Sequence, residues 1–63
     1  AMTRELTDSD GRVHRPRVAM DGPLLWRGGK VVYWDWVAGH YYDPNTDMPI
    51  FDRDAEAYLM GGK

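Results

Sequence analysis

A chain of 63 residues provides material for one small domain, and a domain of this size buries only about 60% of the surface that its unfolded chain exposes. At 43% hydrophobic and 29% charged, its composition is that of a globular domain and excludes a disordered tail. It has no cysteine, which excludes disulfides and thiolate metal sites, and its net charge of -2 is the sum of two oppositely charged parts.

No apolar run approaches the roughly 20 residues that a membrane span requires. The N-terminal residues also lack the apolar core of a signal peptide. The absence of cysteine fits a reducing compartment. We therefore expect a cytoplasmic protein without membrane contact.

The charges are distributed unevenly along the chain. Residues 12–30 contain five basic side chains and one acidic side chain, whereas residues 31–63 contain six acidic and two basic side chains. Such an asymmetry is typical either of a basic segment that contacts phosphates or of two parts of a fold that attract each other.

The N-terminal third contains several turn signals. Residues 1–12 are polar and have no periodicity, so we expect a flexible leader, followed by a single small β-rich domain over residues 13–63. Pro16 cannot donate to a hydrogen-bond ladder, and it restricts any strand nearby to a sheet edge or to a start at Arg17. The sequence Asp-Gly-Pro at residues 21–23 predicts a turn.

Two β-prone segments flank a Gly-Gly pair at residues 28–29, which predicts a hairpin with a two-residue loop. In that register Trp26 shares a face with Tyr33, while Trp34 and Trp36 lie on the opposite face. A three-residue loop would instead move Trp26 to the other face. The second segment, over residues 31–38, is apolar on both faces, and we expect it to continue past a bend at Gly39.

A second hairpin is predicted by Asp43 and Pro44, because Asp and Pro favour the first two positions of a type I turn. Residues 41–46 (YYDPNT) resemble the YYDPxT core of YD repeats in Rhs-type bacterial proteins, which implies a strand entering a turn; Asp47 stands where a glycine usually follows. Residues 48–51 would form the return strand, which Pro49 restricts to an edge.

At the C-terminal end, Asp52 is placed to cap a short helix over residues 53–60, with an apolar stripe that includes Tyr58 and Leu59. The predicted fold is therefore mainly β with a short C-terminal α-helix: an antiparallel meander of three or four strands, SH3-like or a partly open barrel. A helix of about eight residues is only about 12 Å long. It would shield one sheet face in part, so the other face must curl on itself or meet another chain.

Catalytic chemistry is not indicated. The only serine, Ser9, lies in the predicted leader, and His14 and His40 have no nucleophile at a telling spacing. The many aspartates are typical of turns and caps. We expect a protein that is not an enzyme and needs no cofactor.

A metal site has one weak candidate. Oxygen ligands occupy positions 1, 3, 5 and 12 of a calcium-loop pattern over residues 43–54, namely Asp43, Asn45, Asp47 and Asp54. The pattern departs from an EF-hand because Met48 replaces the turn glycine and the last ligand is aspartate rather than glutamate. A plain hairpin turn is the competing interpretation.

Two functions stay open. The favoured one is a non-enzymatic protein–protein interaction module, typical of small accessory or regulatory proteins, including those of phages. Its partner would be another protein or a second copy of the chain. The interface would be an aromatic-rich sheet face with arginine and tyrosine at its rim, and its candidate residues are Trp26, Arg27, Trp34, Trp36, Tyr41 and Tyr42.

The alternative function is binding of single-stranded nucleic acid or a phosphate backbone through the basic segment and the sheet aromatics. Its candidate phosphate contacts are Arg12, Arg15, Arg17 and Lys30. Asp35 and Asp43 lie close to the aromatic residues and disfavour this interpretation. A third interpretation is that Trp34 and Trp36 are simply the core of a small domain.

Overall fold

A computed structural model describes residues 4–51, 53 and 55–59 of the chain. These residues form six short strands: β1 (Leu6–Thr7), β2 (Val13–His14), β3 (Met20–Trp26), β4 (Lys30–Asp35), β5 (His40–Asp43) and β6 (Met48–Ile50). Strands β1 and β2 pair in a two-stranded antiparallel sheet, and the others form a four-stranded antiparallel sheet in the order β3-β4-β5-β6. Two 3-10 turns, Arg27–Gly29 and Ala55–Tyr58, complete the fold.

The mainly β character agrees with the sequence, but the predicted fold class is wrong in its C-terminal α-helix. Ala55–Tyr58 form one 3-10 turn, and no α-helix occurs in the described part of the chain. A segment this short gains too few hydrogen bonds to offset the cost of helix nucleation. The predicted SH3-like barrel is replaced by two separate sheets. The proposed cap, Asp52, lies outside the described residues.

The hairpin of β3 and β4 is present, but its loop has three residues instead of two. Trp26 pairs with Lys30, and Leu24 pairs with Val32. Gly28 and Gly29 adopt φ angles of 85° and 81°, which glycine reaches without a Cβ clash. Paired residues share a face, so Trp26 lies on the same face as Val32 and Trp34, contrary to the predicted register.

Two turn assignments in the middle of the chain also change. Residues 21–23, predicted as a turn, lie inside β3, where the pairing register shifts between Asp21 and Leu24. The long strand predicted over residues 31–42 is two strands, because β4 ends at Asp35. The Asp35 carboxylate accepts hydrogen bonds from the amides of Val37 and Ala38, at 3.0 and 3.1 Å. These bonds form an Asx-type turn, which competes with strand continuation.

The predicted second hairpin is confirmed. Residues 44–47 form the turn, and β6 is an edge strand of the four-stranded sheet. Pro49 lies opposite Tyr42. An edge position tolerates a proline because one side of the strand needs no partner.

The centre of the sheet is the core, and each of its two faces is partly covered by one end of the chain. Val31, Val32 and Tyr33 are at most 1% exposed. On the face of Val32, the indole Nε1 of Trp26 donates to the Ala55 carbonyl at 3.0 Å. On the opposite face, the Tyr33 hydroxyl donates to the Arg15 carbonyl at 2.5 Å.

Part of the predicted leader lies against the hairpin of β3 and β4. β1 belongs to residues 1–12, and the Ser9 amide donates to the Gly29 carbonyl at 2.9 Å. Asp8 is only 6% exposed. The boundary at residue 12 stays a prediction. Among the helical segments that the structure describes, none is long and apolar enough to cross a membrane.

Candidate functional site

One end of the four-stranded sheet exposes a group of large apolar side chains. Because the strands are antiparallel, the start of β3, the end of β4, the start of β5 and the end of β6 all lie at this end. We call it the apolar end, and it consists of Val18, Trp36, Val37 and Phe51. These four side chains are between 65% and 96% exposed. The turns that carry the first three residues are joined, since the Trp36 amide donates to the Ala19 carbonyl at 3.3 Å.

The apolar end is continuous with the aromatic residues of the sheet. The ring of Trp36 meets that of Trp34 edge to face at a centroid distance of 6.3 Å, and Trp34 meets Tyr41 at 4.9 Å. Phe51 packs edge to face on His40 at 5.1 Å. Edge-to-face pairs favour fixed ring orientations. The exposed rings therefore extend an ordered aromatic cluster.

Two open grooves lie beside this cluster, and Trp34 and Tyr41 line both of them. The first groove has a volume of about 350 Å³, and His40, Phe51 and Arg53 are also in its wall. The second has a volume of about 290 Å³, and its other lining residues are Asp21, Leu24 and Leu59. The two grooves thus differ in charge, one having a basic residue at its wall and the other an acidic residue.

Of the predicted partner-binding residues, the structure brings Trp34, Trp36 and Tyr41 together. Trp26 lies on the same sheet face but packs under the C-terminal segment, with its ring 5.3 Å from that of Tyr58. The remaining two candidates lie apart from the cluster and make other contacts. Arg27 stacks on the ring of Tyr58 at 5.2 Å, and Tyr42 lies under Arg17 at 5.3 Å.

Sequence reasoning missed three residues of the apolar end, Val18, Val37 and Phe51. The sequence pattern predicts a strand at Val37, in which one sheet face would bury its side chain. The available signal is the spacing from Asp35 to Gly39, an aspartate and a glycine that enclose a turn with three residues between them. The Gly39 amide donates to the Asp35 carbonyl at 2.8 Å and closes this turn. A turn at this position exposes the residues between them.

The predicted phosphate contacts are all engaged within the chain. Arg15 Nε lies 3.0 Å from a carboxylate oxygen of Glu5, and Lys30 Nζ lies 3.2 Å from Asp43. Arg12 donates to the Asn45 side chain at 3.3 Å. The guanidinium of the fourth residue, Arg17, lies 4.9 Å from the ring centre of Tyr33. Arg15 and Arg17 line a groove of about 410 Å³ on the face opposite Trp34.

The predicted calcium ligands have other partners. Asp43 accepts from the Asn45 amide at 3.0 Å, and Asp47 accepts from the Tyr42 hydroxyl. Burial raises the pKa of Asp43, but the Asn45 amide and Lys30 outweigh burial and hold this pKa below its ordinary value. Asp54 lies outside the described residues. Within those residues, no three His, Cys, Asp or Glu side chains are grouped to hold a metal ion.

A buried polar cluster joins the N-terminal segment to the turn between β5 and β6. Asp8 Oδ2 lies 2.8 Å from His14 Nε2 and accepts from the Asn45 amide group at 3.0 Å. Its Oδ1 accepts from the backbone amides of Asp10 and Arg12, at 2.9 and 3.0 Å. The hydrogen bonds from His14, Asn45 and the Arg12 amide hold the pKa of Asp8 well below its ordinary value. Since Asp8 and His14 are both buried, we interpret the cluster as structural.

No protein-family model matches the chain, and comparisons with curated proteins and with solved structures found no match. The geometry and chemistry of these surfaces are therefore what indicate a function.

Proposed function

We propose that this chain is a non-enzymatic protein–protein interaction module that contacts its partner through the apolar end and the adjoining aromatic cluster. The observation that carries the proposal is the placement of four large apolar side chains, 65% to 96% exposed, at one end of the sheet. A group of large exposed apolar side chains at one end of a small domain is typical of interaction sites. Scattered single residues would need no such explanation.

The composition of the site supports the same interpretation. Tryptophan, tyrosine and arginine are the residues that most often dominate interface energies. Trp36 is 65% exposed, and its ring packs edge to face on Trp34, which in turn packs on Tyr41. A rigid aromatic side chain loses little conformational entropy on binding. This arrangement favours recognition of an apolar protein surface.

The nucleic-acid alternative receives less support. Base stacking requires aromatic rings next to cations that hold the phosphates. Arg15 and Arg17 lie on the face opposite Trp34, and each already contacts an acidic or aromatic side chain. The basic groove and the rings of Trp34 and Tyr41 therefore lie on opposite faces of the sheet, which does not suit one strand of nucleic acid.

The proposal is tested with a double variant, Trp36→Ser and Val37→Ser. Both side chains are exposed, so the variant should keep the circular-dichroism spectrum of the wild type. Immobilised wild-type chain should capture a protein from an extract of the native source, or should self-associate when its mass is measured by light scattering over a range of concentrations. The double variant should lose either association, because the contact area at the apolar end is removed.

The matched control is Met48→Ser, which removes another exposed apolar side chain but lies at the opposite end of the sheet. It should associate as the wild type does. If the double variant associates as well as the wild type, the apolar end is not the interface. A charge-reversed variant, Arg15→Glu with Arg17→Glu, examines the alternative: lost, salt-sensitive binding of single-stranded nucleic acid would favour it.

A further inference from the structure

We propose that the groove between Asp21 and the Trp34–Tyr41 pair receives a basic side chain, lysine or arginine, from the protein partner. This inference rests on the proposed function and specifies the chemistry of the partner. It concerns the second of the two grooves on the aromatic cluster, the one of about 290 Å³.

Strand pairing places the three residues in one row across the sheet. Asp21 of β3 pairs with Trp34 of β4, and Trp34 pairs with Tyr41 of β5. Residues paired in this way project from the same face. Leu24 and Leu59 supply the apolar part of the groove. The row therefore places a carboxylate beside two aromatic rings over an apolar base.

These groups suit a basic side chain, in which a chain of methylene groups ends in a cation. The faces of aromatic rings attract cations, and Trp34 and Tyr41 meet at an interplanar angle of 69°, so their faces point in different directions. The exposed carboxylate of Asp21 supplies a counter-charge. It forms no ion pair with a basic side chain in the part of the chain that the structure describes. Leucine side chains would contact the methylene groups of a lysine or arginine.

The chain uses the same chemistry internally at four other aromatic rings. Arg17 lies over Tyr33 and Tyr42, Arg27 over Tyr58, and Lys30 over Trp26. Within residues 4–51, 53 and 55–59, none of these cations lies over Trp34. A partner's cation would thus extend to Trp34 an interaction that the chain makes at four other rings.

The size and the surroundings of the groove set the position of the cation. A groove of about 290 Å³ has room for one long side chain. The neighbouring groove has Arg53 in its wall and would repel a cation. The basic side chain should therefore enter beside Asp21.

The test uses three probes that differ in charge: N-acetyl-lysine methylamide, N-acetyl-arginine methylamide and N-acetyl-norleucine methylamide, the uncharged analogue of the first. Each is titrated into the whole chain while the indole N–H resonances are followed by NMR. The Trp34 resonance should shift with the two basic probes, which should bind about 2- to 30-fold more tightly than the norleucine probe. Asp21→Asn should reduce this preference, and Asp21→Glu should retain most of it.

The matched control is Asp10→Asn, which removes an exposed carboxylate far from the groove in the loop after β1. It should leave the preference for the basic probes unchanged. Equal binding of the lysine and norleucine probes, or an Asp21→Asn variant that binds as the wild type does, would overturn the inference. The probe titration needs no partner. A negative probe titration would therefore contradict this inference alone. The proposed function is tested separately, by the double variant Trp36→Ser with Val37→Ser.

Discussion

At the scale of single residues, Asp8 is a buried residue whose two carboxylate oxygens both make hydrogen bonds. Asp8 is 6% exposed, and its carboxylate makes four hydrogen bonds, with His14, Asn45 and two backbone amides. A local signal was visible, since an aspartate before Ser-Asp-Gly favours an Asx turn. The bond to Asn45, which joins residues 37 positions apart, could not be predicted from local sequence.

This environment predicts a dependence of stability on pH. The folded-state pKa of Asp8 lies below the unfolded value of 3.8, so its contribution is fully present above that value and is lost as the pH falls below it. Asp43 acts in the same direction. Urea denaturation below pH 4 should show a falling free energy of unfolding, with a smaller slope in Asp8→Asn. A slope in Asp8→Asn identical to that of the wild type would contradict the assignment.

At the scale of elements, the hairpins were predictable where a local turn signal decided the geometry. Gly28, Gly29 and the Asp43-Pro44 pair each mark a turn that the structure contains. The register of the first hairpin was not predictable, because loops of two and three residues both suit Gly-Gly. The three-residue loop is stabilised by contacts of Trp26 with residues 55–59, which are distant in sequence.

The irregularity in β3 gives a prediction for Gly22. Its φ angle is +130°, and a Cβ added there would lie 3.0 Å from the Leu24 amide nitrogen and 3.2 Å from Cδ2 of the buried Tyr33. Gly22→Ala should lower the free energy of unfolding by about 2–4 kcal/mol, from backbone strain and overpacking together. Gly28→Ala, with a φ of +85° and no atom within 4 Å of the new Cβ, should cost only about 1–2 kcal/mol. If urea denaturation showed equal losses of unfolding free energy for the two variants, Tyr33 would be able to move away from the new Cβ without a loss of stability.

At the scale of the whole molecule, the sheet has two apolar faces, and each is partly covered by a segment near one end of the chain. Residues 55–59 cover part of the Val32 face, while β1 and the residues around Arg15 cover part of the Tyr33 face. The sequence indicated that one short helix could not cover both faces. It did not indicate that the polar N-terminal segment would cover the second, because that segment acts through backbone and polar contacts that leave no apolar periodicity.

The coverage is incomplete at the apolar end, and this separates the roles of two tryptophans. Trp26 donates to Ala55 and packs on Tyr58, whereas Trp36 is 65% exposed. Trp26→Ala should therefore lower the free energy of unfolding by at least about 2 kcal/mol and release the C-terminal segment. Trp36→Ala should cost about 1 kcal/mol or less, the value of its edge-to-face contact with Trp34. Urea denaturation followed by circular dichroism measures both. A loss for Trp36→Ala as large as that for Trp26→Ala would make Trp36 part of the core, and the apolar end would then be a consequence of folding rather than a surface kept for a partner.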